Sequence, residues 1–134
     1  MRQSKRFIDT NVIVYAFEEG ARKQKAALNL LVAGGVTSVQ VLNEFASVAR
    51  RKLGFGWTEI QEAVAGICVL LSDPAPLLLQ THVRAVQVAE RFDFSIYDGL
   101  IVAAALEAGC SVLYTEDMQH GQKIEGLVIN NPFR

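Results

Sequence analysis

Apolar positions along this chain follow two rhythms: short uniform runs, and longer stretches where they recur every three or four residues. The first run, residues 6–9, predicts a brief strand that ends on Asp9. Helical spacing follows over 11–17 and 23–33, and Gly34-Gly35 closes the second stretch because glycine adopts the left-handed cap conformation. Val36-Thr37 predicts a second strand, with Ser38 as N-cap of a helix over 39–52. Gly54-Phe55-Gly56 breaks that helix, and Thr58-Glu59-Ile60-Gln61 is a capping-box pattern that opens another, ending near Ser72. Asp73-Pro74-Ala75-Pro76 reads as a stop, followed by a strand-like Leu77-Leu78-Leu79. Residues 82–92 form an amphipathic pattern with Val83, Val86 and Ala89 on one face. Residues 97–108 predict a helix with almost no polar face, one that needs cover nearly all round from its own domain or from a partner subunit. Runs at 111–114 and 127–129 predict the last strands.

Uniformly apolar strands alternating with helices specify an α/β fold, a parallel sheet covered by helices on both faces. The 134 residues fit one domain, 1–134, with no repeat, linker or low-complexity segment. In such a sheet ligands bind beyond the carboxyl ends of the strands.

Composition narrows the picture. A hydrophobic fraction of 51% with 20% charged residues excludes a disordered tail or a fibre. Thirteen Lys and Arg against fourteen Asp and Glu leave a net charge of -1, so a polybasic binding surface is excluded. The balance hides an asymmetry: residues 1–67 carry nine basic and six acidic residues, and residues 68–134 carry four and eight. The basic start at residues 1–6 is followed by an apolar run that Asp9 interrupts, unlike a signal peptide, and no stretch reaches the roughly 20 apolar residues of a membrane span. Cys68 and Cys110 lie far apart in apolar segments and read as buried reduced thiols. The expected location is cytoplasmic.

Three acids fall where the strand rule places chemistry. Asp9 closes the first strand, Asp117 follows the 111–114 strand, and Asp98 stands in the first turn of the apolar helix. A fourth, Glu44, lies at the border of the apolar stripe of the 39–52 helix. Each has a structural explanation: Ser95 and Asp98 form a capping pattern, Asp9 suits a helix start, Asp117 a turn and Glu44 a helix border. Their convergence would carry a cost, because two charges about 4 Å apart repel by roughly 4 kcal/mol at an effective dielectric of 20. A divalent cation removes that cost, and oxygen-only ligands suit Mg2+ or Mn2+.

Four segments in order resemble the motifs of PIN-domain ribonucleases. They are Phe7-Ile8-Asp9-Thr10-Asn11-Val12-Ile13-Val14-Tyr15, Val41-Leu42-Asn43-Glu44-Phe45, Tyr97-Asp98-Gly99-Leu100-Ile101-Val102-Ala103-Ala104 and Leu113-Tyr114-Thr115-Glu116-Asp117. The ending from Gly126 to Phe133 is similar to that of VapC-type toxins. The resemblance implies a three-layer PIN-like α/β/α fold with a central parallel sheet, and Mg2+- or Mn2+-dependent cleavage of RNA. It implies metal-ligand roles for Asp9 and Asp98, with Glu44 and Asp117 completing the acidic cluster. Thr10, Asn11 and Thr115 would orient the carboxylates, and Glu116 competes with Asp117 for the fourth position. It also implies a small antitoxin as protein partner, and a homodimer is expected.

Two basic groups, Arg22-Lys23-Gln24-Lys25 and Arg50-Arg51-Lys52, are candidates for the RNA backbone, with Lys23, Lys25, Arg50 and Arg51 foremost; a solvated helix face explains them equally well. His82 and His120 read as surface histidines. Haloacid-dehalogenase-type phosphatases and receiver domains fit worse: the first wants an acid where Asn11 stands, the second an early acidic pair. The alternatives that remain are a PIN-like module that binds RNA or protein without cleaving, and an RNA-processing PIN nuclease outside a toxin–antitoxin pair.

Overall fold

The computed structural model describes residues 5–134, so most of the basic start read at 1–6 lies outside the described residues. The sheet is centred on β1 (Arg6–Ile8), which pairs in parallel with β2 (Val36–Ser38) on one side and β4 (Val112–Tyr114) on the other. β3 (Ser72–Ala75) extends the sheet beyond β2, and β6 (Leu127–Asn130) extends it beyond β4. β5 (Lys123–Ile124) closes the edge antiparallel to β6, giving the order β3-β2-β1-β4-β6-β5. Phe7, Leu113 and Ile129 stand side by side across the three central strands and are fully buried. Burial on both faces is why these strands read as apolar runs rather than as alternating patterns.

Helices α1 (Thr10–Phe17) and α2 (Gln24–Ala33) link β1 to β2, and α3 (Val39–Lys52) and α4 (Trp57–Leu70) link β2 to β3. Helices α5 (Leu79–Phe92) and α6 (Ile96–Glu107) return the chain to β4. The chain thus winds outward from β1 to β3, then crosses to the other side of β1. That reversal opens a crevice between the carboxyl ends of β1 and β4, the switch point where ligands enter doubly wound sheets. The fold is the expected α/β architecture, a mostly parallel sheet flanked by helices.

Helix α6 is buried without interruption from Gly99 to Ala105. Its own chain covers it, chiefly α5, so the apolar run needs no second subunit for cover. The approach is close: a Cβ built on Gly99 would lie 2.5 Å from the Ala85 carbonyl oxygen.

Four expectations are corrected. The third strand lies at Ser72–Ala75, not at residues 77–79; it is an edge strand, where Pro74 is tolerated, and Leu78 instead precedes α5 as an exposed extended residue. The helix over 57–70 is capped from Gly56, whose N–H donates to Glu59 Oε1 at 2.9 Å, rather than from Thr58. The core stripe of α5 is Thr81, Ala85 and Val88, while Val83 and Val86 are about half exposed; the threonine disguised the stripe, because its hydroxyl donates to Glu107 at 2.7 Å. Cys110 is buried but Cys68 is exposed on α4. The short antiparallel β5 carried too few residues to announce itself. Among the described residues no helix is long and apolar enough to cross a membrane.

Two glycine substitutions test this packing. Gly99→Ala forces the α5–α6 backbones apart and lowers stability by about 1–3 kcal/mol. Gly66→Ala, exposed on α4 with open space around it, raises stability by about 0.5–1 kcal/mol. Urea denaturation read by circular dichroism measures both.

Candidate active site

The ladder between β1 and β4 builds the site's floor. Ile8 pairs with Tyr114, and the Asp9 N–H donates to the Tyr114 carbonyl at 3.0 Å, so one step further Asp9 meets Thr115. The Thr115 hydroxyl donates to Asp9 Oδ2 at 2.7 Å, and the Thr10 N–H donates to Asp9 Oδ1 at 2.6 Å. Asp9 is therefore both N-cap of α1 and a buried carboxylate, only 3% exposed, held by one donor on each oxygen. Asn11 ties the same turn to α1: its Nδ2 donates to Thr115 Oγ1 at 3.2 Å, and its Oδ1 accepts from the Glu116 N–H at 3.1 Å. The Asp117 N–H donates to Thr115 Oγ1 at 3.1 Å. Thr115, itself fully buried, is the hub of this network.

The other two acids arrive on helices. Ser95 caps α6 by accepting from the Asp98 N–H at 3.1 Å, so Asp98 takes part in a cap while its half-buried carboxyl stands near the others. Ser38 caps α3 by accepting from the Val41 N–H at 3.1 Å, which sets Glu44 at the crevice. Among the described residues Glu44 Oε2 and Thr10 Oγ1 are buried with no hydrogen-bond partner. A groove of about 460 Å3 runs past Thr10, Asn11, Glu44 and Asp117. Along α3 the four-residue spacing brings Val48 and Lys52 into its lining beside Glu44.

Electrostatics report the convergence. Burial, followed by the charges of Asp117 and Asp98 and against the hydrogen bonds of Thr115 and Thr10, pushes Asp9 up to about 6. Burial and the charge of Asp9, against a hydrogen bond from Gln40 and with Asp98 and Asp117 behind, push Glu44 up to about 7. Burial and Asp117 raise Asp98. Glu116 behaves oppositely: burial pushes its carboxyl up, but hydrogen bonds from Lys23 and Tyr15 prevail and lower it. Glu116 is thus turned to Lys23 and Tyr15, leaving Asp117 as the acid whose charge is felt by Asp9, Glu44 and Asp98.

Among the described residues no three His, Cys, Asp or Glu side chains form a ready-made cation cage. The donor set nevertheless suits a hard cation. It offers oxygen only, and it includes a buried carboxylate oxygen with nothing else to bind.

The family model described as PIN domain matches residues 6–123. The chain belongs to the PIN domain family. Solved structures place this PIN domain among VapC folds. The sarcin-ricin loop cleaving toxin VapC20 of Mycobacterium tuberculosis is 20% identical with a TM-score of 0.67, over 84% of this chain and 90% of that one. A Klebsiella pneumoniae toxin–antitoxin complex gives 19% identity and a TM-score of 0.71, over 96% and 98%. DNA-bound VapBC of Salmonella typhimurium gives 20% and 0.69, over 97% and 99%. Among curated proteins none matches the chain.

The basic residues of this PIN domain are distributed unevenly about the site. Lys25 and Arg51 are exposed, and the Arg50 guanidinium lies 4.5 Å from the centroid of the Trp57 ring while donating to the Phe55 carbonyl at 3.2 Å. Lys23 pairs with Glu116. Lys52, outside the foremost four, is the basic residue that lines the groove; its four-residue steps from Glu44 through Val48 were the signal that would have singled it out. His82 and His120 are exposed, and His120 Nδ1 accepts from the Asn131 N–H at 3.0 Å.

Raised carboxyl pKa values make a stability prediction. Glu44 holds its proton more tightly folded than unfolded, so its contribution is intact below the ordinary carboxylate range near about 4.3 and is lost as pH rises through about 7. In EDTA, Glu44→Gln therefore melts above the wild type at pH 7.5, and the difference disappears near pH 4.5. Thermal denaturation of both proteins across that range measures it.

Proposed function

We propose that this PIN domain is a Mg2+- or Mn2+-dependent endoribonuclease that hydrolyses RNA phosphodiester bonds as the toxin of a toxin–antitoxin pair. The observation that carries the reading is the convergence of Asp9, Glu44, Asp98 and Asp117 at the switch point, with Glu44 Oε2 buried and unpartnered among the described residues. Asp9 and Asp98 would hold the cation, with Glu44 and Asp117 completing the cluster. When bound, a divalent cation supplies Lewis-acid stabilisation of the phosphate and a more acidic water. The chain's part is orientation. Thr115 and the Thr10 N–H fix both oxygens of Asp9, and Asn11 fixes the turn that carries Asp117.

Similarity to VapC folds supports the toxin assignment, and the solved complexes with antitoxins support a small antitoxin as partner of this chain. With near-zero net charge, attraction of RNA would rest on the cation and a few placed basic groups, Lys52 first among them. The setting we infer is the cytoplasm.

Purified protein should cleave single-stranded RNA with Mn2+. EDTA should abolish cleavage, and Asp9→Asn should reduce it at least about a hundredfold, the loss expected when a charge-stabilising site of several kcal/mol is dismantled. Equal cleavage under all three conditions excludes the metal-nuclease reading; binding without cleavage favours the non-cleaving module. In the metal-free protein Glu44 and Asp9 take up protons as pH drops through about 7 and about 6, so Mn2+ binding, read by titration calorimetry, should weaken over that range.

Lys52→Met tests the groove. RNA affinity, read by fluorescence anisotropy over a salt series, should weaken for every sequence. The slope of log affinity against log salt should shrink by about one contact, roughly 0.7 for a single strand.

A further inference from the structure

Lys23, a candidate for the RNA backbone by sequence, is engaged inside the chain. Its ammonium pairs with Glu116 Oε2 and lies 4.9 Å from the Tyr15 ring centroid and 5.3 Å from that of Phe133. The Tyr15 hydroxyl donates to the other Glu116 oxygen at 2.8 Å, and the Phe133 ring meets Tyr15 edge-on at 5.1 Å. Side chains from α1 and the start of α2 therefore close on one carboxylate, and Phe133, near the end of the chain, packs against both of them. Glu116 stands between Thr115 and Asp117, and its own N–H is held by Asn11 at 3.1 Å. Side chain and backbone of this residue are both anchored, which fixes the direction in which the next residue leaves the turn.

We propose that Lys23 is a positioning residue: through Glu116 it holds the 115–117 turn so that the Thr115 hydroxyl stays on Asp9 and Asp117 faces the other acids. An isolated surface ion pair contributes little stability. Here the cation also packs on two rings, and the pair is three-quarters covered, so the geometry is constrained from several sides. Pairing with Lys23 also keeps a fifth carboxylate from turning toward the four that already repel one another. The catalytic consequence rests on the nuclease reading above, whereas the hold on the turn does not.

The two roles open to Lys23 separate kinetically. As a positioning residue, Lys23→Met lowers kcat about tenfold or more with KM within about twofold, the scale of losing a group that orients site carboxylates. Lys23→Arg, which keeps the charge and the ring contact, recovers most of it. Glu116→Gln added to Lys23→Met costs little more than either alone. A raised KM with unchanged kcat would make Lys23 a phosphate contact and overturn the proposal, as would a lowered melting temperature with both constants unchanged. Amide resonances of Thr115 and Asp117 in 15N spectra give a readout free of catalysis: they should shift in Lys23→Met and return in Lys23→Arg. If they do not move, the proposal is wrong. If they move while the wild type cleaves no RNA, the nuclease reading fails and the hold on the turn stands.

Discussion

The parallel pairing of β1 with β4 sets the place of each group at the carboxyl end of the sheet. Because Ile8 lies beside Tyr114, Asp9 lies beside Thr115, and a single hydroxyl then ties the first strand's acid to the turn that carries Asp117. The register is held by Phe7, Leu113 and Ile129, which fill one buried row across the three strands. A slip of one residue would move that row to the opposite face, where the covering helices present a different packed surface, so packing energy specifies the register and the register specifies the site.

Against that packing stands the electrostatic cost of the site. Asp9 is buried almost completely, and Asp9, Glu44 and Asp98 are each raised by burial and by neighbouring carboxylates. Such an arrangement opposes folding near neutral pH. It persists because the strands and capped helices that present the acids are fixed by apolar contacts elsewhere: Ser38 and Ser95 set the helix starts, and the α5–α6 contact at Gly99 seats Asp98. Groups held at a cost by their surroundings are the expected mark of a functional site.

Positive charge is arranged with equal economy. Lys23 answers Glu116, and Arg50 packs on Trp57, leaving Lys52 to line the groove about two helical turns from Glu44. The two basic runs that look alike in sequence therefore act differently. One closes an internal cluster around Tyr15 and Phe133, and the other divides between a ring contact and the groove wall.

The sequence by itself determined the alternation of strands and helices, the α/β class and the Ser38 and Ser95 caps, and it singled out four acids as candidates, because periodicity, caps and strand ends are local signals. It misplaced β3, the cap of α4 and the buried face of α5, where an edge proline, a glycine cap and a buried threonine broke the local rules. It also left Glu116 and Asp117 undivided and Lys23 among the RNA candidates. What each of these side chains touches was set only by tertiary structure, since the partners are about a hundred positions apart: Tyr15 and Lys23 with Glu116, Asp9 and Asn11 with Thr115. A carboxylate's role depends on what surrounds it in space, and that surrounding exists only once β4 has paired with β1.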